Sequence, residues 1–293
     1  MSTGSTVQKA ERPEAQGPPP RRPQGEPPQR LIEGAAKRTV TFETAPPTVG
    51  HRIGLYGPGG VGKTSLADLA PGPVRSFDLD DSLGVLQPTH TQRVAGIVTW
   101  QDLRDALNSD GWDDVKTIVI DSITRAEELA VVHTLKNTPK DDKGTRAKSV
   151  EDYGYGKGWG AVFDTFLPLL ADLDAHVQSG RNVILIAHEC TTKVPNPAGE
   201  DFIAFQPRLQ DPNSGKGSIR LRLREWLDHL LYLGYDVAVD RDNKAKGSGS
   251  RTLYPTERPW FMAKSRSLRE PIVITENSDE LWRALGLFDK EAS

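Results

Sequence analysis

"RIGLYGPGGVGKTSLADLA", residues 52–70, decides how the rest of the chain is read. Within it Gly57-Pro58-Gly59-Gly60-Val61-Gly62-Lys63-Thr64 fits G-x-x-x-x-G-K-[ST] without a gap. The apolar run Ile53–Tyr56 leads into the glycines. A helical pattern with Leu66, Ala67 and Leu69 starts at Lys63. Strand, glycine-rich loop, helix is the context in which such a loop cradles phosphate. Its glycines let backbone N–H groups point inward, and the helix N-terminus adds partial positive charge. Lys63 is then expected to reach the β- and γ-phosphates of a nucleoside triphosphate. The Thr64 hydroxyl is expected on Mg²⁺, with Ser65 closing the loop.

Outward from the loop, strands alternate with helices. Val74–Leu79 reads as a second strand ending in acids, and Ala95–Val98 as a third. Thr99 is placed to cap a helix through about Leu107. "KTIVID", Lys116–Asp121, is a continuous β-branched run, as expected for a strand buried on both faces. A helix follows to about Leu135, and Val162, Phe163, Phe166, Leu167, Leu170 and Leu173 recur at helical spacing within 160–177. "NVILIA", Asn182–Ala187, is another buried strand. Residues 137–157 and 191–217 read as polar loops, the first of them mobile. A short helix ending at Leu221–Trp226, a strand over Leu230–Val239 and a hairpin through "KAKGSGSR" into Thr252–Thr256 come next. Trp260–Ala263 and Pro271–Thr275 finish the sheet, before a last helix over Glu280–Leu285. "RLRLRE" also fits a half-exposed strand edge. The pattern predicts an α/β fold, a mostly parallel sheet with an antiparallel C-terminal flank.

Residues 1–39 differ in kind. "ERPEAQGPPPRRPQGEPPQR" has almost no apolar side chains and is expected to form a disordered tail. That leaves 40–293 as the globular domain, with Val40–Phe42 as a short first strand. The tail is either a solvated tether or a docking segment for a partner protein, with Arg21 and Arg22 as phosphate contacts. The 293 residues carry a formal net charge of −3, which excludes bulk polycationic binding of nucleic acid. Cys190 is the lone cysteine, so no intramolecular disulfide forms. No run reaches the roughly 18 apolar residues of a membrane span. The expected setting is soluble and cytoplasmic, without membrane contact.

Further positions fit the chemistry of the phosphate loop. Asp121 closes an apolar strand and fits the acid that holds Mg²⁺ with Thr64. Hydrolysis needs a carboxylate on the attacking water; Asp80 is the first candidate, Asp81 the second. Asp78 shares that strand end. His188 follows "ILIA" at a strand tip, where parallel sheets gather their ligands. It is either a γ-phosphate contact or a core histidine held by backbone.

Taken together, "DSIT" (Asp121–Thr124), "FDLDDS" and "ILIAHE" resemble the RecA-type ATPase core. The resemblance implies ATP as the nucleotide, a water-activating acid at Asp80 where that family carries glutamate, and a sensor at His188 where the bacterial recombinase has glutamine. More closely, "YGPGGVGKT", Asp152–Trp159, Trp226 with Asp228, and Ala263-Lys264-Ser265-Arg266 resemble phage-encoded RecA-like proteins of the single-strand-annealing group. The likeness spans roughly 45–288. It implies a ring or filament with ATP between subunits and Lys264 and Arg266 reaching a neighbour's γ-phosphate. The alternative for that pair is an ordinary basic surface.

Single-stranded DNA is the expected partner. Lys136, Lys140, Lys143, Arg146 and Lys148 concentrate in one loop. Lys193, Arg208, Lys216, Arg220, Arg222 and Arg224 lie in and after the other. Tyr153, Tyr155 and Phe205 are available to stack on bases. Asp141, Asp142, Asp201 and Asp211 dilute both patches. The competing function is an ATP-dependent switch or loader acting on a phage replication or recombination protein held by the tail. A third reading is a nucleotide-binding module with negligible turnover.

Overall fold

The structure is a computed structural model, and it describes residues 40–42, 44, 50–197, 199–212, 217–239 and 245–288. The chain divides into two units, Met1–Pro46 and Pro47–Ser293. The expected tail over 1–39 lies outside the described residues. In the first unit Val40 and Phe42 are exposed and form no strand.

Among its described residues the second unit carries ten strands: β1 (Arg52–Gly57), β2 (Val74–Asp78), β3 (Thr91–Arg93), β4 (Thr117–Asp121), β5 (Asn182–Val194), β6 (Phe202–Pro207), β7 (His229–Val239), β8 (Ala245–Tyr254), β9 (Lys264–Ser265) and β10 (Ile272–Ile274). Its helices are α1 (Lys63–Asp68), α2 (Leu83–Leu86), α3 (Trp100–Leu107), α4 (Ile123–Asn137), α5 (Lys157–Gln178), α6 (Ile219–Trp226) and α7 (Glu280–Ala284). The sheet order is β10-β8-β7-β1-β5-β4-β2-β3, with β6 on β5 and β9 on β7. β7-β1-β5-β4-β2-β3 are parallel; β8, β10 and β9 add antiparallel edges. The expected α/β class and antiparallel flank are therefore present.

Strand period 2 sorts the core onto two faces. Ile118 and Ile120 of β4 pack with Leu103, Phe166, Leu170 and Leu223 from α3, α5 and α6. Val119, between them, faces Leu66 of α1 and Leu281 and Trp282 of α7. Trp282 Nε1 donates to Leu66 O at 3.0 Å, tying α7 to the helix behind the phosphate loop. Helices on both faces explain why these strands lack polar alternation.

Several local expectations need correction. The third strand is Thr91–Arg93, not Ala95–Val98. Asp68 accepts from Thr89 N, His90 N and Thr91 Oγ1, which fixes that earlier segment beside β2. Thr99 does cap α3: its hydroxyl accepts from Asp102 N, and the Asp102 carboxylate accepts from Thr99 N in return. The loop 137–157 contains an Asp141-centred turn, a Pro139–Arg146 bridge and a 3₁₀ turn at Val150–Tyr153. The long loop over 191–217 is in large part a β-hairpin: β5 runs on to Val194 and pairs with β6. "KAKGSGSR" belongs mostly to β8, because cross-strand pairing with β7 overrides its glycines. Trp260–Ala263 makes isolated bridges only, at Phe261, and β9 begins one residue later. "RLRLRE" is helical; Ser218 caps it and Arg220 turns inward.

Candidate active site

The phosphate loop joins β1 to α1 and is braced from three sides. Tyr235 donates its hydroxyl to Gly60 O at 3.0 Å, and Arg251 Nη1 donates to Val61 O at 3.0 Å. Lys63 Nζ donates to Gly57 O (2.9 Å) and Pro58 O (2.8 Å). Two glycines are required, Gly57 by contact with backbone and Gly62 by its backbone conformation. A Cβ on Gly57 would lie 2.0 Å from Leu233 O, and one on Gly62 would lie 2.3 Å from Arg251 Nη1. Gly62 also sits at φ 96°, a region other residues avoid. Gly59 and Ser65 face outward, while Val61 is buried.

Thr64 Oγ1 donates to Asp121 Oδ2 at 2.5 Å. The two residues expected to share a metal therefore touch. Burial raises the Asp121 carboxyl above its usual range, the Thr64 bond opposes this, and Asp80 and Asp78 add to the rise. Buried carboxylates that repel one another suit a divalent cation. Among the described residues no three His, Cys, Asp or Glu side chains form a metal cluster. Mg²⁺ would accordingly be held by Thr64, Asp121, water and phosphate oxygens, its ordinary way of binding. Burial lowers the Lys63 ammonium, with Asp121, Glu189 and Asp80 pulling it back up.

The three acids after β2 separate by role. Asp78 is buried and accepts from Ser82 N, Ser82 Oγ and Leu83 N, so it builds the turn into α2. Asp81 is exposed and pairs with Arg93 at 2.8 Å. Asp80 instead meets His188 Nε2 at 3.0 Å. The register places His188 opposite Gly57, at the start of the phosphate loop. Its backbone N donates to Thr124 Oγ1 at 3.1 Å, joining it to the strand end that carries Asp121.

Lys264 and Arg266 stand elsewhere. β9 pairs with His229 and Leu230, and β1 pairs Ile53 with His229, so both residues lie at the opposite end of the sheet from the loop. Lys264 Nζ donates to Arg224 O, Glu225 O and Leu227 O at the end of α6. Arg266 Nε pairs with Asp228 at 2.9 Å. The Trp226/Asp228 and Lys264/Arg266 motifs therefore meet, and within one chain neither reaches the phosphate loop.

Three residues near the loop carried no usable sequence signal for this site. Arg251 comes from β8, 190 residues from the Val61 carbonyl it binds. Glu189 follows His188; burial raises its carboxyl and the Lys63 charge lowers it, and it shares a hydrogen bond with Tyr232. Arg208, expected as a loop cation toward DNA, lines a cavity of about 360 Å³ with Asp80 and His188. A second cavity, about 560 Å³, opens beside α1 and is lined by Gly62, Ser65, Leu66, Arg251, Ile274 and Asn277. Its size and mixed lining suit a nucleoside.

A family model described as an AAA domain matches residues 50–267. No curated protein matches the chain. Among solved structures, the chain is similar to a KaiC-like protein of Pyrococcus horikoshii OT3, at 14% identity and a TM-score of 0.35, covering 70% of this chain and 77% of that one. It is similar at 11% identity to the flagellar accessory protein FlaH of Methanocaldococcus jannaschii, with a TM-score of 0.34 and the same coverage.

Proposed function

The chain belongs to the AAA domain family, and from that premise we propose that it binds and hydrolyses ATP with Mg²⁺ and uses the cycle to hold and release single-stranded DNA. The observation that carries this is the course of β5. One unbroken strand passes from the buried sheet, through His188 beside the phosphate loop, into the hairpin with β6. A change at His188 is thereby a change at the root of the hairpin.

The residues divide the work. Lys63 and the loop N–H groups hold the β- and γ-phosphates. Thr64 and Asp121 would hold Mg²⁺, which would offset phosphate charge. Asp80 orients water and takes its proton as the water oxygen bonds to the γ-phosphorus. The bond to the bridging oxygen breaks, and ADP leaves with that electron pair. His188 fixes the Asp80 carboxylate by its 3.0 Å hydrogen bond. Nucleoside binding falls to the 560 Å³ cavity.

The finer placement, in a phage-encoded RecA-like annealing group, rests on the Asp152–Trp159, Trp226/Asp228 and Lys264/Arg266 motifs. In the same reading the chain forms a ring or filament, where Lys264 and Arg266 would reach a neighbour's nucleotide only by leaving the α6 carbonyls and Asp228 that hold them within one chain.

One observation favours the protein-client alternative. Much of the positive charge near the hairpin is already spent: Lys193 pairs with Asp201, Arg222 with Glu225 and Arg224 with Glu257, and Arg220 is buried. The deciding experiment measures ATP hydrolysis with and without single-stranded DNA, beside Lys63→Ala. A rise with DNA that the variant loses supports the proposal. A measurable rate indifferent to DNA moves the client to a protein.

A further inference from the structure

The cavity of about 360 Å³ at the end of the Asp80 strand holds an uneven set of charges. Its carboxylates are Asp80, Asp81 and Glu128, and its cations are Arg125 and Arg208. Most are already answered. Asp80 meets His188 at 3.0 Å, Asp81 meets Arg93 at 2.8 Å, and Arg125 meets Glu128 at 2.5 Å. The Arg208 guanidinium has no hydrogen-bond or ion-pair partner among the described residues; its resolved interaction is a longer-range one with Glu127.

The backbone of Arg208, in contrast, is fixed. Its N–H donates to His188 O at 2.8 Å. The residues on either side, Pro207 and Leu209, are buried, and their carbonyls accept from the buried Arg220 guanidinium at 2.9 Å each. Leu209 N closes a further bond to Pro207 O. An exposed arginine on a rigid mount, beside the acid and histidine at the phosphate end of the sheet, is poised for an anion that arrives later. Arginine suits that task because its planar fork meets two phosphate oxygens and stays charged.

We propose that Arg208 is a catalytic residue supplied within the same chain: its guanidinium binds the γ-phosphate of ATP. As water oxygen bonds to the γ-phosphorus and the bridging bond breaks, Arg208 stabilises the charge spread over the equatorial oxygens. The water proton still passes to Asp80. This inference rests on the ATP hydrolysis proposed above, and it assigns the cavity to a phosphoryl group rather than to DNA.

The test compares the full chain with Arg208→Ala and Arg208→Lys, with Mg²⁺, first without and then with single-stranded DNA. Calorimetry measures ADP and the non-hydrolysable β,γ-imido analogue of ATP, and steady-state assays give kcat and KM. Arg208→Ala should bind the analogue roughly 10-fold more weakly, hold ADP within about twofold, and lose on the order of 10²-fold in kcat. Arg208→Lys should recover only part of the loss, since a point charge cannot make the paired contact. Unchanged analogue binding and turnover would overturn the proposal and leave Arg208 as a counter-charge to Glu127. Equal weakening of ADP and analogue would overturn it too, as would a defect that appears only when DNA is added. If the parent chain binds the analogue but does not turn over ATP, the hydrolysis reading fails while the binding arm still judges Arg208.

Discussion

The two ends of the parallel sheet use charge in opposite ways. At the end where β1 and β7 begin, charged groups are answered by partners from other elements. Arg52 pairs with Asp174 at 2.8 Å, Asp174 also accepts from Trp226 Nε1, Asp228 accepts from Arg52 N and Arg266, and Lys264 caps α6. At the end where β1, β4 and β5 leave the core, the carboxylates of Asp121, Asp80 and Asp78 repel one another and the charge is only partly paired off. Asp121 and Asp80 approach each other, Lys63 turns back onto its own loop carbonyls, and Arg208 has no ion-pair partner among the described residues. A folded chain alone gains nothing from unmatched charge, because desolvating it is costly. Charge left partly unmatched at one end and answered at the other separates the surface suited to a ligand from the surface that holds the fold.

Substitutions can break or sharpen this contrast. The largest effect is expected at Lys63: Lys63→Ala should lower ATP turnover on the order of 10²–10³-fold in a steady-state assay. A variant that retains most of its turnover would remove the waiting role from this end of the sheet. Next, Asp80→Ala should reduce kcat about 10²-fold while calorimetric nucleotide affinity stays near that of the parent. Asp81→Ala should stay within about twofold, because Asp81 points to Arg93. A larger loss at Asp81 would exchange the two acids.

At the opposite end, Lys264→Ala should cost about 1–3 kcal/mol by stripping charged donors from three carbonyls at the end of α6. Thermal melting reads this as a lowered Tm, with turnover per folded chain preserved. Lost turnover at an unchanged Tm would instead show Lys264 acting on a neighbouring subunit.

The smallest effects concern pH. His229 is pushed down to about 4, first by burial and then by His51. Between about 6.5 and 4 the unfolded chain binds that proton and the folded chain does not, so stability falls as pH drops through this window. Glu127 is raised to about 7, chiefly by burial. There the folded chain binds the extra proton, so stability falls as pH rises from about 4.5 to 7. Melting curves of His229→Gln and Glu127→Gln should each flatten one limb of the parent's profile. Flattening of the wrong limb would reverse the charge states given to these sites.

Much of the candidate phosphate site was legible because it is local. Gly57–Ser65 is one contiguous run, and Asp121 and His188 each follow an apolar run that can be recognised without the fold. Asp80 was legible only to within two neighbours. Its separation from Asp78 and Asp81 depends on which of the three meets His188, Ser82 or Arg93. The hairpin after His188 was not legible, since "CTTKV" and "FIAFQP" look polar or irregular until they pair with each other. Arg220, read as a candidate DNA contact, is buried where it ties that hairpin to the chain after it.

By itself the sequence determined the glycine-rich loop, the alternation of strands and helices, and the acid that ends β4. Those features depend on residues near one another in the chain and on the period of apolar side chains. Tertiary structure decided the rest. It set Arg251 against the loop from 190 residues away, joined Lys264 and Arg266 to α6 and Asp228, and placed Arg208 in the Asp80 cavity. Sheet order and strand register bring such residues together, and neither is written in any local stretch of the chain.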